Sequence, residues 1–152
     1  MKSPLLDVIR AKLRGQLERL AKAATETHAA ATDPGSKAEG KYDTRSLEAS
    51  YLAAGQARQV DELAAALRTF EALSLPDFPI DAAVDAGALV EVEIGDEAAF
   101  FLLVPASGGM VITHAGMEIT LLTPASGLYQ QLLGRHVGDS LDSPALTITE
   151  VS

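Results

Sequence analysis

Apolar residues in the first part of the chain recur at helical spacing. Leu6, Ile9, Leu13, Leu17, Leu20 and Ala24 follow one another at intervals of three and four residues, one face of a helix. Ser3 before Pro4 suits its start, because proline is pre-set for the first helical position and its missing amide proton would have had no partner there. The pattern runs through alanine to about Thr32 and meets Asp33-Pro34-Gly35-Ser36, a strong turn signal. A second stripe begins with Leu47, Tyr51 and Ala54 and continues through Val60, Leu63, Leu67 and Phe70. Two helices of roughly 28 residues would each be on the order of 40 Å long at the α-helical rise. Each has one apolar stripe, so the expected arrangement for 1–75 is an antiparallel coiled-coil hairpin with its tip at about 33–44.

After "SLPDFPID" the period changes to two. Pro76 and Pro79 should stop the incoming helix, which places a linker at 76–81. "ALVEVEI" (88–94) alternates apolar residues with Glu91 and Glu93, the mark of a strand with one wet face. "AAFFLLVP" (98–105) reads as a more buried strand, joined to the first through Gly95-Asp96-Glu97. "MVITHAGMEITLLTP" (110–124) is extended with a bend at Gly116, and "ALTITEVS" (145–152) alternates again. In between, Leu128, Leu132 and Leu133 stand at helical spacing in 126–135, with Leu133 expected to be buried and Gly134 expected to stop the helix. The expected class is α+β, with the helical hairpin followed at 82–152 by a mostly antiparallel β domain carrying one short helix.

Charge sharpens this division. Residues 1–76 hold eleven Lys/Arg against ten Asp/Glu; residues 77–152 hold only Arg135 against eleven acids. The halves therefore carry about +1 and −10, which points to two modules with different surfaces. The acidic half should not bind nucleic acid by itself, since phosphate contacts need positive charge. The absence of tryptophan removes the best stacking platform for bases, and the absence of cysteine excludes disulfides and cysteine zinc sites and fits a reducing cytoplasm. Asp7, Arg10 and Lys12 interrupt the N-terminal apolar runs, so neither a signal peptide nor a membrane span is expected there.

The segment "SGLYQQLLGRHVGDSL" (126–141) resembles a pattern in the Gre factors, bacterial transcript elongation and cleavage factors. Ser126, Leu128, Leu132, Leu133, Gly134, Gly138 and Asp139 match it; Arg135 replaces a lysine, and Gly127 stands where the family usually has proline. "EASYLAAGQ" (48–56) is similar to a stretch in that family's hairpin, with Ala49 and Tyr51 matching. The resemblance implies an FKBP-like C-terminal domain that docks on RNA polymerase beside its secondary channel. Thr123, Pro124, Ser126, Gly127 and Leu128 would take part in that docking. The hairpin would then bring two tip carboxylates to the polymerase active site, where they help hold a magnesium ion and position water for cleavage of backtracked RNA. On this reading the chain is a cytoplasmic accessory factor, a monomer and not an enzyme, with no metal or cofactor of its own.

In the family the two carboxylates are three residues apart. Anchoring on Tyr51 puts Thr44 and Leu47 at those positions, and anchoring on Gly40 puts Lys41 and Thr44 there. With a short insertion Asp43 and Glu48 serve as the pair; Glu39 with Asp43, at helical i, i+4 spacing, is the alternative. Asp43 or Thr44 would equally cap the second helix, Ser36 with Glu39 matches a capping box, and Glu48 would suit a solvated position near Arg45 or Lys41. Lys37, Lys41 and Arg45 partly neutralise these acids and would suit RNA phosphates. Arg10, Lys12, Arg14, Arg19 and Lys22 read as a solvated helix face. His28, His114 and His136 lack partners at ligand spacing, and "PASGGM" (105–110) reads as a turn.

Four functions compete on these residues: a Gre-like elongation factor, a Gre-like competitor that does not cleave, a coiled-coil dimerisation module unrelated to polymerase, and a peptidyl-prolyl isomerase. The last ranks lowest, because the domain lacks the aromatic-rich pocket that such chemistry generally needs.

Overall fold

The computed structural model describes the backbone of residues 2–32 and 45–152, and the side chains of 2–26 and 53–152. Two helices, α1 (Ser3–Thr32) and α2 (Arg45–Ala72), precede four strands: β1 (Leu89–Ile94), β2 (Glu97–Leu103), β3 (Val111–His114) and β4 (Met117–Leu122). A short helix α3 (Gly127–Leu132) and two strands, β5 (Ser140–Asp142) and β6 (Ala145–Val151), complete an α+β chain. By its internal contacts it divides into two compact units, Met1–Ile9 with Thr69–Ser152, and Arg10–Arg68.

The first unit is built on a six-stranded sheet of order β3-β4-β2-β1-β6-β5. Every pairing is antiparallel except β2 with β4, which is parallel. Alternation along the strands feeds two buried faces. On one, Val90, Val92, Leu103, Leu122, Leu146, Ile148 and Val151 form the core with Tyr129 and Leu132 of α3. Leu102, Ile119 and Leu121 alternate with these and are fully buried in their turn, as are Ile9 and Phe70 from the helix ends that belong to the same unit. Such a layer of aliphatic side chains, at about 1.5–3 kcal/mol each, supplies most of the stabilising free energy of a domain this size.

Strict alternation along β6 would have turned Glu150 inward after Leu146 and Ile148. A β-bulge prevents this: Glu91 pairs with Glu150 and Val92 with Ile148, so Thr149 is the extra residue. Its hydroxyl donates to the Glu91 carbonyl at 3.1 Å. Val151 consequently joins the core, and Glu150 is exposed.

The β3–β4 turn at Ala115–Gly116 has positive φ at both residues (52° and 78°), the geometry that a two-residue hairpin needs to match strand twist. The segment 105–110 turns as expected, through a Met110 amide to Ser107 carbonyl hydrogen bond of 3.2 Å. Two expectations need correction. Strand β5 was not foreseen, being only three residues long. Leu133 is 39% exposed, because α3 ends at Leu132 and Leu133 is its C-cap with an extended ψ of 132°.

The start of α1 is tied to this unit by Lys2. Its ammonium donates to the Gly87 carbonyl at 2.8 Å and the Ser152 carbonyl at 2.6 Å, and lies 4.7 Å from the centre of the Phe78 ring. Burial pushes its pKa down to about 8, partly opposed by the charge of Asp77. Between α2 and β1 the chain is irregular; Phe78 packs on the core while Ile80 is 80% exposed.

In the helical unit burial fades along the stripe. Leu13 is fully buried, whereas Leu17, Leu20 and Ala24, and on α2 Val60, Leu63 and Leu67, are half-buried. Lys12, Arg14, Arg19 and Lys22 are exposed, as expected for the charged side, and Arg10 is half-buried. Among the described residues no helix is long and apolar enough to cross a membrane.

Candidate functional site

The stretch 123–139 carries the docking residues named from the sequence. The Ser126 amide donates to the Thr123 carbonyl at 2.8 Å, closing the turn that leads into α3. Ser126 is the N-cap, and its side-chain oxygen accepts from the Tyr129 amide at 3.4 Å, satisfying one of the amides that a helix start leaves without a partner. Gly127 is the first helical residue, and a Cβ added there would meet nothing within 4 Å. That position is the one where proline is well tolerated, so glycine and proline are interchangeable here on steric grounds. Gln130 fixes Pro124 by donating from its side-chain amide to the Pro124 carbonyl at 2.8 Å.

The rest of the stretch is also built around backbone geometry. Gly134 has φ +77°, as a helix-terminating residue requires. Its amide donates to the Val84 carbonyl at 2.8 Å, and the Val84 amide donates back to the Arg135 carbonyl at 2.8 Å. Gly138 has φ +94° and donates to the Ile148 carbonyl, and the Asp139 carboxylate accepts from the His136 amide at 2.8 Å. The residues that match the Gre pattern are therefore those that shape this helix and its exit.

Of the five residues expected to take part in docking, Pro124 and Gly127 are exposed, while Thr123, Ser126 and Leu128 are half-buried. Thr123 faces a close neighbour: a Cβ built on Gly108 would lie 2.9 Å from its hydroxyl oxygen. Leu128 packs against the core from its edge. Of these five residues, only Pro124 and Gly127 are exposed, beside the exposed Gln130 and Gln131 of α3.

Pro124 also lines a cavity of about 390 Å³ with Leu73, Pro76, Leu103, Pro105 and Tyr129. Tyr129 is buried, and burial raises the pKa of its phenol, reinforced by the nearby charge of Asp85. Nothing in the residue pattern singles out Tyr129 or Asp85. A tyrosine between two leucines of a helix looks like core, and only the fold brings residues 73–76, 86–87 and 103–105 around it.

Lys37, Glu39, Lys41 and Asp43 lie outside the described residues. Arg45 and Glu48 are on α2, with side chains likewise outside them. Among the described residues no group of three or more His, Asp or Glu is arranged to hold a metal ion.

A separate acidic pair was not anticipated. Glu91 and Glu150 are direct cross-strand neighbours at the bulge. The Glu91 pKa is raised, first by burial and then by the hydrogen bond and charge of Glu150.

No protein-family model and no curated protein matches the chain. Among solved structures it is similar to the GreA factor homolog 1 (Gfh1) of Thermus thermophilus, at 24% identity over 94% of both chains with a TM-score of 0.37. It is also similar to a structure of the transcription factor Gfh1, at 23% identity over 95% of this chain and 93% of that one (TM-score 0.39). Gfh1 of Thermus aquaticus matches at 21% identity over 93% of this chain and 92% of that one (TM-score 0.37).

Proposed function

We propose that this chain is a Gre-like transcription factor that binds RNA polymerase at the secondary channel and modulates elongation without an active site of its own. The observation that carries the reading is the Gre-like stretch 126–139. Its matching residues form one continuous structural piece, from the Ser126 cap through Gly134 to the Gly138–Asp139 turn, with Pro124 and Gly127 left accessible beside it. Ala49 and Tyr51 extend the resemblance to α2 in the same order along the chain. In this reading α1 and α2 form a coiled-coil hairpin, and the sheet unit is an FKBP-like docking domain.

Where cleavage of backtracked RNA is retained, Asp43 and Glu48 are the carboxylates offered to a magnesium ion held by the polymerase, with Glu39 as the alternative. Lys37, Lys41 and Arg45 would face RNA. A non-cleaving competitor is the second reading, favoured by one observation: no register of the tip preserves the family's carboxylates three residues apart.

Two experiments test this. Removing residues 34–44 should leave polymerase binding intact, because docking is assigned to the sheet unit; loss of binding refutes that assignment. With a backtracked polymerase complex and end-labelled RNA, shortening that disappears in Asp43→Ala/Glu48→Ala identifies a cleavage factor. No shortening, combined with slowing of an added Gre factor, identifies the competitor. Neither effect places the chain outside this pathway.

A further inference from the structure

We propose that Gln130 is a positioning residue for docking, a role that rests on the reading of the turn before α3 as a docking element. Its side-chain amide fixes the shape of that exposed turn, and through it the turn's fit to polymerase. Pro124 has no amide proton, so its carbonyl is the only backbone polar group by which the chain can be held at that residue. Gln130 takes it, reaching back six residues to donate at 2.8 Å. The Gln130 backbone amide also donates to the Ser126 carbonyl at 3.2 Å, so one residue grips the turn at both places. From the other side the turn is backed by Gly108, where a Cβ would come within 2.9 Å of the Thr123 hydroxyl oxygen. The Ser126 amide closes it on the Thr123 carbonyl at 2.8 Å. Between these anchors stand Pro124 and Ala125, both exposed, and the Gln130 side chain is the tie that reaches them.

An exposed glutamine gains little stability from such a bond, because water competes for both groups and the side chain gives up rotamer freedom. The benefit falls on binding. A turn already held in its docked shape loses less freedom on association. Removing the bond should therefore cost affinity and leave the fold as stable as before.

The test follows three quantities for the full chain: its affinity for RNA polymerase, its thermal midpoint, and the NMR resonance of the Pro124 carbonyl carbon in the free chain. Gln130→Met keeps the reach of the side chain and loses the donor. It should bind roughly threefold to tenfold more weakly, with an unchanged midpoint and a shifted Pro124 resonance. Gln130→Arg should restore both, because the arginine Nε stands the same number of bonds from Cα as the glutamine Nε2. Gln131→Arg adds the same charge at the next exposed position and is the reference for that rescue. Wild-type affinity in Gln130→Met overturns the positioning role and leaves the docking reading standing. Weakened binding with the Pro124 resonance unmoved would make Gln130 a direct contact, which also overturns it, as does a Gln130→Arg that binds no better than Gln130→Met. A wild-type chain that does not bind polymerase overturns the docking reading, and this role falls with it.

Discussion

Leu132 and Leu20 look alike in the sequence: each sits in an apolar stripe at helical spacing. In the structure Leu132 is fully buried on the sheet, whereas Leu20 on α1 is half-buried. The difference follows from what each helix is given to cover. A sheet presents a two-dimensional apolar surface, so a six-residue helix lying on it can bury a side chain completely. In the helical unit the apolar residues form stripes one or two residues wide, and every position of α1 from 14 to 26 keeps one side toward water. Equal hydrophobicity therefore does not mean equal contribution to stability.

Charge insertion should make the contrast largest. Leu132→Asp would place an unpaired carboxylate in the core and should cost about 4 kcal/mol or more, enough to unfold the sheet unit. Leu20→Asp should cost about 1–2 kcal/mol, and Leu133→Asp, next to the core but exposed, about 1 kcal/mol or less. Urea unfolding followed by circular dichroism orders the three. A Leu20→Asp loss as large as that of Leu132→Asp would show that the long helices are as tightly packed as the sheet.

The tether at Lys2 should give the next largest signal, as a pH dependence. The folded-state pKa near 8 lies below the ordinary 10.5, so between these values the unfolded chain binds more protons. Stability should therefore rise as pH climbs through 8, by an amount on the order of 2 kcal/mol. The gain should flatten above about 10, where Tyr129, with its raised pKa, holds a proton that the unfolded chain releases. Lys2→Met should remove the rise and also strand the Gly87 carbonyl without a donor, while the Ser152 carbonyl keeps the Leu89 amide. A pH profile unchanged by the substitution would contradict the burial assigned to this ammonium.

The smallest expected effect is a gain. Glu91 and Glu150 face each other across β1 and β6, and like charges so placed are destabilising. The pair is least costly below the ordinary glutamate value of 4.5, and stability is lost as pH rises through the elevated Glu91 value. Glu150→Gln should stabilise the protein by a few tenths to about 1 kcal/mol at neutral pH, with the difference shrinking in acid. Equal gains at both pH values would assign the effect to strand propensity instead.

Much of this arrangement could be read directly from the chain. The stripe from Leu6 to Ala24, the alternation in "ALVEVEI", the bend at Gly116 and the stop at Gly134 are local patterns with local causes, and each is found where it was expected. The misreadings arose where a neighbour outranked the pattern. Leu133 was counted with Leu132 on periodicity, yet the helix ends one residue earlier, where the Gly134 amide donates to the Val84 carbonyl and the Arg135 carbonyl accepts from the Val84 amide. Glu150 occupies an inward parity by simple alternation, and only pairing with β1 reveals the bulge that turns it out.

Sequence alone determined the α+β class, the positions of both long helices, most of the strands, and the Gre-like stretch at 126–139. These depend on spacing, turn residues and capping, which act within a few positions of one another. The tertiary structure alone decided the parallel β2–β4 pairing, the Lys2 tether to Gly87 and Ser152, the Glu91–Glu150 opposition and the cavity around Tyr129. Each joins residues from separate segments, and proximity of that kind is set by how the layers pack rather than by any run of side chains.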